Sequence, residues 1–397
     1  MATANSISDS ESPAAQPSAA LLMFVSSMPP DQLEGLLDRL ADSFSPEELL
    51  VATPDELPAN ANPAVRIVAS PEIKSSWTLT AADFVNVYQL AQKHDARSIL
   101  VLGPESSSLT STSLHDLART LLTSPADLVI PSYRLGPHAG LVNSAILYPL
   151  TRALFASKAR FPLAIDLGLS FRMAERLATT AQRFTATNQG NAIVWPLNEA
   201  AAAGFTTSEI EVGSRVLPQP PDPDLNSVLP LVTGSLFADV DAKAAFWQRA
   251  RALPGSRNLL AQPLTSNDVP ADIAPMLDAF RLAYTNLREI WSLVLPPNSL
   301  LGLKRLSITD AASFRMPDNL WARIVYDFLL AYRLRTINRG HLLGALIPLY
   351  LAWVASHINI TASGTDAERH IEAVAAAFEA DKPYLVARWR WPDRFNP

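Results

Sequence analysis

The sequence contains no cysteine, little glycine and no dense run of lysine and arginine. Without cysteine, the chain cannot form disulfides, thiol nucleophiles or cysteine-ligated zinc sites. Only 14 of the 397 residues are glycine, so glycine-rich phosphate loops are not expected in a chain that falls well below the usual ~7%. The net charge of −6 argues against a nucleic-acid-binding protein, which would carry a basic stripe.

Several signatures of enzymes and cofactor sites are also missing. The sequence has no G-x-G-x-x-G, no G-x-x-x-x-G-K-[ST], no H-E-x-x-H and no G-x-S-x-G. Its six histidines are scattered along the chain without a close pair: His94, His115, His138, His341, His357 and His370. A zinc site built from them would need chance convergence in space, so none is predicted.

Neither a secretory signal nor a membrane span is predicted. Residues 1–19 are rich in serine, alanine and proline and lack the positive start and long apolar stretch of a signal peptide. We therefore predict a disordered tail on a cytoplasmic protein. The longest apolar run, residues 342–355, contains Pro348 and is shorter than the ~20 residues that a spanning helix needs. It is predicted to be a buried helix.

The apolar residues that are present follow an alternating strand and helix pattern up to about residue 135. Hydrophobic residues make up 48% of the chain, enough for a sizeable core. Such alternation predicts a parallel α/β sheet, whose ligands bind at the carboxyl ends of the strands. Strands are predicted at 21–27, 48–52, 65–69, 98–103 and 127–133, and helices at 31–44, 81–96 and 115–122.

A proline-rich stretch, residues 218–224, predicts a domain boundary, because so many prolines continue neither a helix nor a central strand. Beyond it the apolar periodicity is helical. Helices are predicted at 239–252, 274–295, 318–335, 342–358 and 367–378. The predicted organisation is therefore a tail at 1–19, an α/β domain at 20–220 and a helical C-terminal domain at 221–397.

The segment 127–176 carries the most specific pattern in the chain. Pro131, Tyr133 and Arg134 end a strand, Asn143-Ser144 and the stretch 148–154 (YPLTRAL) follow, and then comes Pro-x-x-x-Asp-x-Gly-x-Ser over 162–170. This resembles a bacterial family of retaining glycosyltransferases related to mannosylglycerate synthase and glucosyl-3-phosphoglycerate synthase. The stretches 320–332, 341–350 and 382–389 resemble the helical tail of that family, so the resemblance covers most of 98–397.

The resemblance implies a GT-A fold, which is Rossmann-like with a mostly parallel sheet, and transfer of a sugar from a nucleotide-sugar donor to a small acidic acceptor. The family uses Mg²⁺ or Mn²⁺, held by an Asp-x-Asp after the fourth strand and by a later histidine. At the matching positions this sequence has Gly103-Pro104-Glu105 and Leu217, and Ala192 stands where a carboxylate is expected. We therefore predict that the metal ligands are lost and that no cofactor is bound.

The early donor-binding turns of the family are also absent. An Asp-Gly-Gly-Ser-like turn and a Gly-Lys-Gly-like turn are replaced by Thr53-Pro54-Asp55 and by residues 75–77 (SSW). The metal and donor motifs of the family are thus degraded in this chain.

The retained polar residues give a candidate site. Asp166 is the candidate catalytic carboxylate, with a helix cap as the alternative. Arg134 and Arg152 are candidates for binding a phosphate or an acidic acceptor, with salt bridges as the alternative. Further candidate substrate-binding residues are Glu105, Asn143 and Ser170, and a cap is the alternative for Asn143.

Two functions follow from this pattern. The first is a glycosyltransferase that uses a nucleotide sugar and a small acidic acceptor. The second is a catalytically degenerate relative that binds a sugar, a nucleotide or a protein. Nucleotidyl transfer on a similar sheet is a weaker third hypothesis, because it too requires paired acids for metal. The sequence leaves a homo-oligomer open.

Overall fold

The structure is a computed structural model that describes residues 20–56, 62–71, 76–187, 192–221, 223–251 and 272–391. The predicted disordered tail at 1–19 lies outside the described residues.

The described part begins with an α/β region built on one seven-stranded sheet of order β3-β2-β1-β4-β6-β5-β7. Strand β6 runs antiparallel to β4 and β5, and the other neighbouring strands pair in parallel. The strands are β1 (Leu21–Val25), β2 (Leu49–Thr53), β3 (Arg66–Ala69), β4 (Ser98–Leu102), β5 (Leu128–Ser132), β6 (Asp166–Ser170) and β7 (Thr207–Glu211).

The strand predictions are confirmed for β1 to β5, whereas β6 and β7 were missed. The buried strands β1, β2 and β4 are continuous apolar runs because both faces of the sheet are covered. β7 is a partly exposed edge strand of sequence TSEIE, and β6 is a short run interrupted by Gly168. Neither has the apolar run or the clean alternation that marks a strand in sequence.

The helices of this region are α1 (Pro30–Ala41), α2 (Ala81–Lys93), α3 (Ser111–Thr123), α4 (Tyr148–Phe155), α5 (Phe171–Ala186) and α6 (Pro196–Ala203). Apart from α4, whose apolar residues pack elsewhere, they bury apolar side chains against the sheet. The predicted cap of α2 is confirmed as a capping box, in which Thr80 and Asp83 satisfy each other's backbone N–H groups. One apolar cluster contains Phe84 of α2 and Met173 of α5, and another contains Leu36 of α1 and Leu117 of α3.

The rest of the described chain is helical. It contains α7 (Leu225–Ala242), α8 (Ala244–Trp247), α9 (Ala274–Asn286), α10 (Arg288–Val294), α11 (Pro297–Ser307), α12 (Asp318–Leu334), α13 (Arg339–Ala362) and α14 (Ala367–Arg390). The prediction at 239–252 is wrong in its limits, because the helix already begins after the side chain of Asp224 caps its first turn. The prediction at 274–295 is corrected to two helices that meet at Leu287.

Helix α13 contains the longest apolar run and lies in the helical core. It is long and apolar enough to pass for a membrane span, but 72% of its most apolar window is buried inside the protein. The prediction of a buried helix is therefore confirmed for α13, and the cytoplasmic location stays a prediction.

The helical core also includes residues that precede the predicted boundary. The short π-helical segment Asn143–Leu147 and α4 pack into it, and the indole N–H of Trp321 donates to the carbonyl oxygen of Ala145 at 2.8 Å. The fold class is thus confirmed as a mostly parallel α/β sheet followed by a helical region, while the boundary near residue 220 stays a prediction.

Candidate functional site

The antiparallel strand β6 brings Asp166 to the edge of the sheet where the parallel strands end. Asp166 is the first residue of β6 and pairs with Leu102, the last residue of β4. The Gly103-Pro104-Glu105 segment continues directly from that strand end. Asp166 therefore lies beside the Gly103-Pro104-Glu105 segment at the end of β4. The alternative of a helix cap is wrong for Asp166, because Ser170 caps the following helix.

Asp166 is completely buried and its carboxylate is fully engaged. Its Oδ1 accepts from the backbone N–H of Gly103 at 3.0 Å, and its Oδ2 accepts from the hydroxyl of Tyr133 at 2.7 Å. The guanidinium of Arg215 donates to both carboxylate oxygens, from Nε to Oδ2 at 3.0 Å and from Nη2 to Oδ1 at 3.1 Å. The side chains of Asp166 and Arg215 are both 0% exposed, so this is a buried bidentate ion pair.

Arg215 uses all five of its N–H groups at this edge. Besides its two bonds to Asp166, Nη2 donates to the carbonyl of Pro104 at 2.7 Å, and Nη1 donates to the hydroxyl of Ser108 and the carbonyl of Val216 at 3.2 and 3.0 Å. Burial is the largest single influence and opposes its charge, but the carboxylate of Asp166, together with Tyr133 and Glu105, outweighs burial and raises the pKa of the guanidinium. Arg215 therefore holds the segment after β7 against the segment after β4.

The residues at this edge do not fit a divalent cation. Gly103 offers no ligand atom, and a Cβ at this position would lie 2.4 Å from the carbonyl oxygen of Ile165, so an acidic side chain could not be accommodated without a backbone shift. Both oxygens of Asp166 are occupied by Arg215, itself a cation. Within the described ranges, no group of three or more histidine, aspartate or glutamate side chains is placed to hold a metal ion.

Leu217 and Ala192 stand where the resemblance implies a histidine and a carboxylate, and both have apolar neighbours. Leu217 packs against the cluster that contains Leu36, and Ala192 packs against the cluster that contains Phe84. Both positions therefore serve packing in this chain, as expected for aliphatic side chains.

Glu105 is exposed and adopts a left-handed backbone conformation with φ of 63°. A non-glycine residue pays a steric penalty in this region, and such residues concentrate at functional sites. A second acid at the same edge, Asp55, follows β2 and accepts from the hydroxyl of Ser27 at 2.6 Å and the N–H of Met28 at 2.8 Å. The two acids make the rim of the edge negative.

The two candidate arginines lie in different places and each has a carboxylate partner. Arg134 follows β5 and forms a half-exposed ion pair with Glu211 at 2.5 Å. Arg152 is buried on α4, where it contacts Glu372 at 2.6 Å and Glu379 at 3.0 Å, both on α14. The salt bridges weighed as alternatives are present, and a ligand role for either arginine stays a prediction.

The side chains of Asn143 and Ser170 form hydrogen bonds with partners other than Asp166. The amide of Asn143 donates to the carbonyl of Arg160 at 2.9 Å instead of capping a helix. Ser170 is the last residue of the antiparallel strand β6, so it lies at the opposite edge of the sheet from Asp166. There its hydroxyl accepts from the N–H of Met173 and donates to Asp127. Glu105 and Asp166 therefore lie at the same end of the sheet, where β4 finishes, and Ser170 lies at the opposite end.

Sequence reasoning missed Arg215 and the contribution of the Tyr133 hydroxyl. Arg215 lies in the segment 213–219, at which the resemblance implies a histidine, and it is the one charged residue of that segment. The single charge in this segment did not indicate a role for Arg215, because the partner of Arg215, Asp166, is 49 residues away in sequence.

Comparisons with known proteins yield distant structural likenesses. No protein-family model matches the chain, and no curated protein matches it. Among solved structures, it is similar to glucosyl-3-phosphoglycerate synthase from Mycobacterium tuberculosis in complex with Mn²⁺, UDP-glucose and phosphoglyceric acid, at 13% identity and a TM-score of 0.37, covering 58% of this chain and 82% of that chain.

Two further likenesses are of the same order. A mycobacterial protein matches at 13% identity and a TM-score of 0.38, covering 59% of this chain and 77% of that one. A CMP:2-keto-3-deoxy-manno-octonic acid synthetase complexed with CTP matches at 11% identity and a TM-score of 0.31, covering 50% and 91%. Likenesses this distant identify neither a family nor an activity.

Proposed function

We propose that this protein is a catalytically degenerate relative of the nucleotide-sugar glycosyltransferases and that it acts by binding a sugar, a nucleotide or a protein. The observation that carries the proposal is the buried Arg215–Asp166 pair at the end of β4. A guanidinium whose five N–H groups are all used leaves no donor for a ligand, and its carboxylate partner has no free oxygen for a metal.

The charge at the rim also favours binding over metal-assisted transfer. A departing diphosphate needs positive charge for stabilisation. Glu105 and Asp55 present negative charge at this edge instead, and negative charge there repels a diphosphate. A neutral sugar or nucleoside group, or a protein surface, suits the edge better.

The test combines an activity assay with a binding assay on the full chain. UDP-glucose and 3-phosphoglycerate are incubated with the protein with and without Mn²⁺, and released UDP is measured. Thermal shift then measures the binding of UDP, UDP-glucose and uridine under the same conditions. We expect no release of UDP above the protein-free rate and no additional stabilisation by Mn²⁺. Release of UDP that requires Mn²⁺ would overturn the proposal.

The second candidate is sugar transfer without a metal, from a nucleotide sugar to a small acidic acceptor. One observation favours it: Glu105 is exposed and held in a left-handed conformation, two residues after Gly103, whose N–H donates to Asp166. This candidate function predicts release of UDP without metal, and Glu105→Gln should abolish that release. The matched control is Glu211→Gln, which replaces the carboxylate that pairs with Arg134 and should keep the release. Equal loss in both variants would count against this candidate.

A further inference from the structure

Two histidines that are 13 residues apart in sequence contact each other in the helical core. The Nδ1 atoms of His357 on α13 and His370 on α14 are 2.7 Å apart. The residues are 0% and 5% exposed, and their rings lie edge to edge, with centroids 5.0 Å apart and planes inclined by 22°. Trp353 stacks on both rings, at 5.3 and 6.0 Å. The pair is therefore held in place from its faces as well as from its edges.

The outer nitrogens of the pair determine how many protons it carries. Nε2 of His357 lies 3.1 Å from the carbonyl oxygen of Pro137, and Nε2 of His370 lies 3.2 Å from Oδ1 of Asp318. A carbonyl and a carboxylate only accept, so each Nε2 must bear a proton. The short Nδ1–Nδ1 contact needs one more proton between the rings. Three ring protons on two imidazoles leave one positive charge.

We propose that His357 and His370 form a proton-operated latch, a pair that shares one proton, carries a single positive charge neutralised by Asp318, and holds the loop after β5 against the helical region. The pair joins that loop, through Pro137, to α12, α13 and α14. A fourth proton would place two N–H groups against each other and open the latch. This inference is independent of the proposed function.

The surroundings oppose a second positive charge on the pair. His138 of the same loop lies edge-on to His357 at a centroid distance of 6.2 Å and contacts Thr361. Arg160 adds positive charge from the segment before β6, although Glu368 of α14 pairs with it. Burial first, and then the positive charge of His370, His138 and Arg160, lowers the pKa of His357 to about 4, even though its bond to Pro137 acts the other way.

The direction of the pH effect follows from that depressed pKa. A released His357 takes up its proton near pH 6.5, whereas the latched one resists until about pH 4. With respect to this fourth proton, the latch keeps its stabilising contribution above about pH 6.5 and loses it as the pH falls toward 4. For these two pKa values, the opening equilibrium rises about 50-fold between pH 7 and pH 4.5.

Hydrogen–deuterium exchange of the full chain tests the proposal. Peptides covering residues 134–144 report on amides such as that of Ala139, which donates to the carbonyl of Gly136. The measured rates are first corrected for the intrinsic pH dependence of exchange. Where exchange is limited by the local opening equilibrium, we expect these amides to exchange roughly 50-fold faster at pH 4.5 than at pH 7. Equal corrected rates at the two pH values would overturn the proposal.

A variant and a matched control assign the effect to the pair. In His357→Gln, the amides of this loop should already exchange faster at pH 7 than in the unmodified protein. Lowering the pH to 4.5 should then raise their corrected exchange rates by less than about threefold. His341→Gln, at an exposed histidine of the same helix α13, should behave like the unmodified protein. A pH dependence that survives in His357→Gln would overturn the assignment.

The protonation count can be checked in the unmodified protein, so the test does not depend on folding of the variant. Nitrogen-15 spectra of labelled histidine at neutral pH should show both Nε2 atoms protonated and one proton shared between the two Nδ1 atoms. Asp318→Asn should remove the third proton from the pair. Two neutral rings in the unmodified protein would overturn the proposal.

Discussion

Replacing Arg215 by methionine removes the guanidinium and leaves the carboxylate of Asp166 buried with only Gly103 and Tyr133 as donors. Both side chains of the pair are 0% exposed, so solvent cannot replace the lost partner. Breaking a buried ion pair by removing one member costs about 3–5 kcal/mol of unfolding free energy. We expect a loss in that range for Arg215→Met, measured by urea denaturation with an unchanged m-value.

The matched control is Arg134→Met at the same edge of the sheet. Arg134 and Glu211 form an ion pair whose side chains are 45% and 39% exposed, and exposed pairs contribute at most about 1 kcal/mol. The double variant Arg215→Met/Asp166→Asn should be more stable than Arg215→Met alone, because it contains no unpaired buried charge. A loss below 1 kcal/mol for Arg215→Met would refute the reasoning. So would a double variant whose loss of unfolding free energy equals the sum of the losses in Arg215→Met and Asp166→Asn.

Three further predictions concern single positions. Gly103→Ala should destabilise the protein by about 1–3 kcal/mol, because its Cβ would meet the carbonyl of Ile165 at 2.4 Å; an unchanged melting temperature would contradict this. Glu105→Gly should stabilise by about 1 kcal/mol through relief of the left-handed backbone, since its φ is 63°; calorimetry showing destabilisation would instead mean that the side chain supports the loop. Burial lowers the pKa of Lys382 to about 8, so folding disfavours its charged form at neutral pH. Lys382→Met should therefore be more stable by about 1–3 kcal/mol at pH 7, with the advantage shrinking as the pH rises through 8 toward 10.5; a pH-independent difference in urea midpoints would contradict this.

Local sequence patterns were sufficient for the strand–helix framework but not for its exact limits. The apolar runs of β1 and β4 mark buried strands because both faces of the sheet are covered. Thr80 marks the start of α2 because its side chain satisfies a backbone N–H within the same turn. No proline or glycine lies at the break between α9 and α10 at Leu287, so the apolar periodicity predicts a single helix there.

The sequence by itself determined the composition limits, the α/β order of the first part and the helical character of the second. Only the tertiary structure decided that β6 runs antiparallel, which places Asp166 at the ligand edge and Ser170 at the opposite one. Only the tertiary structure paired Asp166 with Arg215 and His357 with His370. Hydrophobic periodicity and capping act over a few residues and are therefore visible in sequence. Buried polar groups must find partners wherever the packed chain supplies them, and those partners lie 49 residues away for Asp166 and on a separate helix for His357.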